Sequence, residues 1–402
     1  MEFRDLQKQY NYIKSEIDAK IHSVISSAHF IFGPEVKTLE TTLAEYVGVK
    51  HCITCANGTD AISIALLAHG VGEQGGGSKK DAVFVPDFTF FSSGECPATV
   101  GAVPIFVDVN RSNYNLDPRS LTRAIEKVIA EGELKPRAVV AVDLFGQPFD
   151  YCDIRDVCNK YGLLLFEDAA QGFGGRIILS TGEEKMACSL GDIATTSFFP
   201  AKPFGCYGDG GAIFTDDDNI ASLCRSIAIH GKDMEHLDDP YAKYNNARLG
   251  MNSRLDTLQA GVLLAKFLVF KDEELQAVNA VAELYCERLK DIDGLTVPRV
   301  EDGCFSSWAQ YTVQLPSTFS NGEPINRGAV QEQLKEKGIP TNIYYIRPMH
   351  NQGAFKGTRS AVADCPVTEE LCERVLCLPI HPYLEQGEVE FVAAELKEAL
   401  KS

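Results

Sequence analysis

Residues 138–171 read AVVAVDLFGQPFDYCDIRDVCNKYGLLLFEDAAQ. An apolar run, Ala138–Leu144, leads into a helical pattern over Cys152–Lys160, and a second apolar run, Leu163–Phe166, follows at once. The alternation spreads in both directions. Further apolar runs lie at Cys52–Thr54, Ala82–Val85, Val103–Val109, Thr195–Phe199 and Ala212–Thr215, with helical patterns at Asp60–Leu67, Pro118–Ala130 and Asn219–Ile229. Short apolar runs between helices predict an α/β layer around a mainly parallel sheet. Two amphipathic stretches, Ile13–Ser27 and Val36–Val47, precede it.

After Arg254 the character changes. Leu255–Leu289 is one long helical pattern, read as a bent helix leaving the large domain. A strand at Gln310–Leu315, a helix at Gly328–Lys337, a strand at Thr341–Tyr345 and a last helix at Glu388–Ala399 predict a smaller α+β domain. A chain of 402 residues exceeds what one core usually serves. We therefore divide it into 1–254 and 255–402. Glu73–Lys80 (EQGGGSKK) reads as a surface loop, not a phosphate loop.

Composition narrows the function. The chain is 45% apolar and 23% charged, ordinary for a folded soluble protein. Its net charge of −18 argues against a nucleic-acid partner, which requires a basic face. An anionic substrate would need local positive charge from Arg, Lys or helix N-termini. No apolar run approaches the roughly 18–20 residues of a membrane span. The polar opening MEFRDLQKQY does not read as a signal peptide. Thirteen cysteines read as reduced thiols, so a cytoplasmic setting is expected. Cys52-x-x-Cys55 is either a pair of buried thiols or half of a metal or redox site; the eight histidines show no ligand spacing, and no metal is expected.

Ligands of open α/β sheets bind beyond the carboxyl ends of strands. Leu163–Phe166 runs into Glu167-Asp168-Ala169-Ala170-Gln171. An acid there can hold a metal, a ribose or a protonated ring nitrogen, or simply cap a helix. Cys52–Thr54 runs into Asn57-Gly58-Thr59-Asp60 and then a helix. Such a junction is either an ordinary cap or a phosphate site made of free amides. Lys202 sits in SFFPAKPFGCYGDGG, residues 197–211, between two prolines and ahead of four glycines. A partly desolvated lysine loses its proton more easily and can form a Schiff base.

Taken together these segments resemble the DegT/DnrJ/EryC1 group of sugar aminotransferases. The matching stretches are FGPEVKTLE, CANGTDAI, PDFTF, GAVPIFVDV, LFGQP, FEDAAQ, SFFPAKPFGCYGDGGAIFT, GMNSRLDTLQA and LPIHPYL, over nearly the whole chain. CANGTDA, GCYGDGGAIFT and NSRLDTLQA look most like the bacterial branch acting on UDP-2-acetamido-3-oxo-glucuronate, which makes a 3-amino sugar for surface polysaccharide such as lipopolysaccharide O-antigen. The resemblance implies the aspartate-aminotransferase fold (fold type I), a pyridoxal 5′-phosphate (PLP) cofactor, and amino transfer from glutamate to a UDP-linked keto sugar. In its terms Lys202 is the Schiff-base lysine and proton shuttle, and Asp168 pairs with the pyridinium nitrogen, keeping the ring an electron acceptor. Gln171 would contact the ring hydroxyl and Phe90 the ring face. Gly58, Thr59, Asp60 and Ser197 would grip the phosphate, and Asn252 would reach it from a second subunit, so a homodimer with shared sites is implied. Arg254 matches a substrate position suited to a sugar carboxylate. The substrate loop departs from the family pattern: it reads Thr341-Asn-Ile-Tyr344-Tyr345-Ile-Arg-Pro-Met-His350, with Tyr344 and Tyr345 as its candidate substrate contacts. Loops at Glu73–Lys80 and around Ser180–Lys185 are longer. Three other readings compete. Sugar deoxygenation is disfavoured by a lysine where that branch has histidine. Amination at C4 is settled by a substrate panel. A non-catalytic PLP-binding regulator would be revealed by a coloured protein that exchanges no amino group.

Overall fold

The computed structural model describes residues 1–234, 245–318 and 323–401. Twelve strands occur among them: β1 His51–Cys55, β2 Asp81–Pro86, β3 Val103–Val107, β4 Lys135–Val142, β5 Leu164–Asp168, β6 Arg176–Ile178, β7 Glu184–Met186, β8 Ile193–Ser197, β9 Gly211–Thr215, β10 Cys304–Phe305, β11 Tyr311–Gln314 and β12 Val375–Leu378. Seven form the central sheet in the order β1-β9-β8-β5-β4-β2-β3. Only β9 runs against the others; β8, β5, β4, β2 and β3 pair in parallel. The sheet is thus mainly parallel, as the alternation of runs predicts, and each predicted run falls on a strand. The run at Val103–Val109 overshoots: pairing ends at Val107.

Helices cover both faces. In chain order they are α1 Leu6–Ser27, α2 Pro34–Val47, α3 Gly58–Ala68, α4 Phe91–Thr99, α5 Pro118–Glu131, α6 Tyr151–Tyr161, α7 Asp218–Ala228, α8 Thr257–Val269, α9 Leu275–Leu289, α10 Arg327–Glu336, α11 Pro366–Arg374 and α12 Gln386–Ala399. One face packs Ala61, Ile64 and Cys224 from α3 and α7 on Val85, Phe166 and Ile213. The other packs Leu121, Ile125 and Ile154 from α5 and α6 on Phe84, Val139 and Leu165. Neighbours on one strand, Leu165 and Phe166, thus serve opposite cores, which is the period-two rule of strands. Leu39, Leu43 and Leu263 from α2 and α8 close the β1–β9 end over Phe198 and Phe214.

The long helical pattern at Leu255–Leu289 resolves into α8 and α9 joined by a π-helical segment, Phe270–Glu274. A π turn widens the helix locally. Here it seats Phe270 against Phe173 and Phe204, with ring centroids 5.8 and 4.8 Å away. A separate core, including Tyr285, Tyr311, Leu376 and Leu396, is built from residues 278–400. Its sheet is the antiparallel pair β11–β12.

Two expectations need correction. Thr341–Tyr345 is not a strand. Only Asn342 bridges to Cys377, and the chain then passes a cis peptide at Tyr344–Tyr345 into turns. Around Ser180–Lys185 the extra loop ends in a short strand, β7, paired with β6. The Cys52-x-x-Cys55 pair is also explained. Three residues apart on a strand point to opposite faces: Cys52 lies in the core with Phe214, and Cys55 lies in the core with Ile213. All thirteen cysteines are free thiols.

Candidate active site

Asp168 ends β5 at the carboxyl edge of the sheet. Alternation turns its neighbour Glu167 the other way, where the carboxylate accepts from the amides of Cys188 (2.6 Å) and Leu190 (2.7 Å) and pins the chain leading into β8. Asp168 faces a cavity of about 680 Å³. Gly58, Thr59, Phe90, Gln171, Ser197, Lys202, Tyr344 and Tyr345 also line it. These are residues from five separate stretches of the chain.

Asp168 is buried, and burial raises its carboxyl above the usual range. Hydrogen bonds from Ser93 Oγ (2.7 Å) and the Ala170 amide (3.2 Å), together with the Lys202 charge, work against that rise. The acid is therefore short of positive partners. A protonated ring nitrogen is the kind of group that would complete it.

Lys202 follows β8 in a turn. Its amide donates to Phe199 O (2.8 Å), and its carbonyl accepts from Arg4 Nη2 (3.0 Å). Desolvation pushes its amine down to about 8; Asp168 opposes this and Arg4 adds to it. A sizeable neutral fraction is thus present near physiological pH, as a nucleophilic amine requires.

The end of the cavity suited to an anion is built from β1, α3 and β8. Asn57 caps α3: its side chain accepts from the Asp60 amide (2.8 Å) and its carbonyl from the Ala61 amide (3.1 Å). That leaves the Gly58 and Thr59 amides to an anion, aided by the helix dipole. Gly58 must lack a side chain, because a Cβ there would lie 2.7 Å from Ser197 Cβ. The cradle exists because these two elements approach so closely. Thr59 Oγ1 is hydrogen-bonded to Ser92 Oγ (3.0 Å). The Asp60 side chain is not among the groups lining the cavity; its amide serves the cap.

Ring-sized flat surfaces flank this axis. Of the two phenylalanines in PDFTF, Phe88 is buried against Tyr114, Phe145 and Tyr345, whereas Phe90 is 54% exposed and lines the cavity. The Gln171 carboxamide is held at both ends: Oε1 accepts from Phe145 N (2.8 Å) and Nε2 donates to Tyr345 OH (3.2 Å). A helix N-terminus, a depressed lysine, a buried acid short of cations and a free aromatic face fit PLP.

Asn252 and Arg254 do not line this cavity. They share an adjoining open pocket with Ala56, Gly208, Asp209 and Gln259, and Asp209 borders both. The Asn57–Asp60 junction reads as a cap or a phosphate site, and the structure makes Asn57 the cap. Sequence reading passed over Ser93, Arg4, Gln310 and Gln352. Ser93 lies on α4, whose internal Pro97 breaks the helical pattern. Arg4, Gln310 and Gln352 are joined to the site only by tertiary contacts.

The model of the DegT/DnrJ/EryC1/StrS aminotransferase family matches residues 11–397. A Pseudomonas aeruginosa protein described as UDP-2-acetamido-2-deoxy-3-oxo-D-glucuronate aminotransferase is 41% identical over 396 residues, 98% of this chain and 99% of its own. A DegT DnrJ EryC1 StrS aminotransferase from Brucella abortus superposes with a TM-score of 0.90 at 41% identity, covering 100% of both chains. The Bacillus subtilis protein NtdA with bound cofactor PMP superposes with a TM-score of 0.81 at 26% identity, over 98% of this chain and 83% of that one.

The lysine chemistry is directly testable. In cofactor-free protein, labelling of Lys202 by an amine-specific reagent should rise with pH to a plateau set by a midpoint of about 8, not the ordinary 10.5. Asp168→Asn removes the charge that opposes the shift, so the midpoint should fall further. The lysine's folded value lies below its unfolded one, so the unfolded chain holds the extra proton between about 8 and 10.5. The group's penalty on folding is complete below that window and fades as pH rises through it. Peptide mapping of labelled Lys202 reads the midpoint.

Proposed function

We propose, since the chain belongs to the DegT/DnrJ/EryC1/StrS aminotransferase family, that it moves an amino group from glutamate to a UDP-linked keto sugar, with UDP-2-acetamido-3-oxo-glucuronate as acceptor. The observation that carries the reaction type is the meeting of Lys202, its amine lowered to about 8, with the buried Asp168 in one cavity. The acceptor rests on the full-length similarity to the Pseudomonas aeruginosa enzyme. The product would be a 3-amino sugar for surface polysaccharide, made in the cytoplasm; free thiols throughout the chain suit that compartment.

PLP, when bound, supplies the electron sink for the reaction. The protein's part is binding, orientation and proton handling. The α3 amides and Ser197 would hold the phosphate. Asp168 would keep a proton on the ring nitrogen. Phe90 would offer its face to the ring, and Gln171, fixed by Phe145 and Tyr345, would meet the ring hydroxyl. The Lys202 amine takes the proton from the donor's α-carbon and returns it on the acceptor half of the cycle. Tyr344 and Tyr345 line the cavity wall and would contact the sugar.

We assign Asn252 and Arg254 to the neighbouring subunit's site in a homodimer. Their separate pocket, bordered by Asp209, supports this, as do the exposed Phe30, Phe32 and Leu249. Arg254 would then pair with the sugar carboxylate. We also keep the division 1–254 and 255–402; the core built from residues 278–400 supports a separate C-terminal unit, while α8 packs with α2 on the large-domain core.

Three outcomes test this reading. With PLP and no sugar, the protein should exchange label between glutamate and 2-oxoglutarate, and Lys202→Ala should abolish exchange; an intact protein that exchanges nothing would sink the proposal. Mixed dimers of Asn252→Ala and Lys202→Ala chains should regain activity that neither homodimer has, because one site per dimer is whole. Arg254→Met should cost roughly tenfold or more in kcat/KM for the carboxylated sugar and little for its uncharged analogue, measured with both acceptors.

A further inference from the structure

Asp87 directly follows β2 and is buried. Its carboxylate and its carbonyl are spent on one short stretch, while its amide donates to Val107 O (2.8 Å). Oδ1 accepts from His350 N (2.8 Å), Oδ2 accepts from His350 Nδ1 (2.6 Å), and the Asp87 carbonyl accepts from Met349 N (3.0 Å). Three bonds therefore fasten residues 349–350 to the strand end that supplies Phe88 and Phe90. The fastened stretch brings Tyr344, Tyr345 and Gln352 to the cavity wall. Tyr345 is also gripped by Gln171 and packs on Phe88 at 5.8 Å.

The charged and titratable groups facing the imidazole come from several elements. Asp87 lies at the end of β2. Asp108 lies beyond the end of β3, where it caps α11 through the Val367 and Thr368 amides (3.0 and 2.8 Å). Glu369 on α11 is 3.6 Å from Nε2. The Cys365 thiol completes a trio whose donor atoms lie within 4.8 Å of each other. The 2.6 Å contact puts a proton between Nδ1 and Oδ2, where a metal ion would need both lone pairs. The trio is therefore a hydrogen-bonded clamp. The bond to Asp87, with the surrounding acids, raises the imidazole above its usual value. A cationic His350 in turn compensates the buried Asp87.

We propose that Asp87 and His350 are a positioning pair that sets the cavity wall for the sugar acceptor and so its affinity, without touching the reacting atoms. The inference rests on the aminotransferase reading above. The donor is a small amino acid and needs only the Lys202–Asp168 end. A nucleotide sugar is several times larger and reaches the wall of Tyr344, Tyr345 and Gln352. Misplacing that wall should therefore weaken the acceptor and spare the donor.

The test uses the PLP-loaded full chain with Asp87→Asn, His350→Gln and the double variant. Three quantities are read: thermal midpoint, glutamate/2-oxoglutarate label exchange, and the Kd of UDP-N-acetylglucosamine by calorimetry. Each single change should raise the Kd roughly tenfold, with exchange within about twofold of the unaltered enzyme. The double change should cost little more than one alone, as for partners in one interaction. In the unaltered enzyme the Kd should worsen as pH rises and the imidazole loses its proton; His350→Gln should flatten that profile. Asp87→Asn is nearly isosteric, and His350→Gln keeps a donor, so at least one folded variant is expected. An unchanged Kd in a folded variant, or exchange falling in step with the Kd, overturns the proposal. Absent exchange in the unaltered enzyme sinks the aminotransferase reading instead and takes this inference with it.

Discussion

A carboxylate is held at Asp168 in a place that disfavours its charge, and much of the site can be understood from that. Burial lifts its pKa, so the surroundings must supply compensation: a hydroxyl from Ser93 on α4, an amide from Ala170, and the Lys202 amine across the cavity. The compensation is incomplete, and a cationic ring is a group that would complete it. The same desolvation acts on Lys202 with opposite sign, lowering the amine. One physical cause, exclusion of water at the carboxyl edge of a parallel sheet, thus prepares both the acid and the base.

The chain's net charge of −18 runs against a phosphate-bearing cofactor and an anionic sugar. The contradiction dissolves at short range. The α3 N-terminus, Lys202 and Arg4 supply positive potential where it is needed, and surface acids are attenuated beyond a Debye length of about 8 Å in physiological salt. Shape does the remaining work. The phosphate cradle depends on Gly58 standing against Ser197, a contact any side chain would spoil.

Features that depend on local order were legible in the sequence. The strand-and-helix alternation at 138–171, the turn at Asn57–Thr59 and the stiff segment around Lys202 each carry their signal in neighbouring residues, and each falls where it was expected. Thr341–Tyr345 misled because its β-branched and aromatic residues fit a strand, while the structure packs Ile343 against the cores and uses Tyr344 and Tyr345 to line a cavity between elements. Pro97 hid α4 and with it Ser93, the partner of Asp168. Asn252 and Arg254 could be named from the family pattern, but the structure puts them in an adjoining pocket, a placement set by tertiary contacts that local order does not encode. Arg4 was invisible for a similar reason: its bond to the Lys202 carbonyl spans 198 residues.

The scatter of cysteines has a use beyond packing. Ten of the thirteen are buried, Cys286 and Cys304 are partly covered, and only Cys152 is exposed. They are spread through the molecule: Cys52 on β1, Cys158 on α6, Cys224 on α7, Cys377 on β12. A buried thiol reacts with an alkylating reagent only when its surroundings open. Each cysteine therefore works as a built-in clock for the opening of its own part of the molecule. The order in which they become modified would chart which layers of this enzyme breathe and which stay shut, with no label introduced.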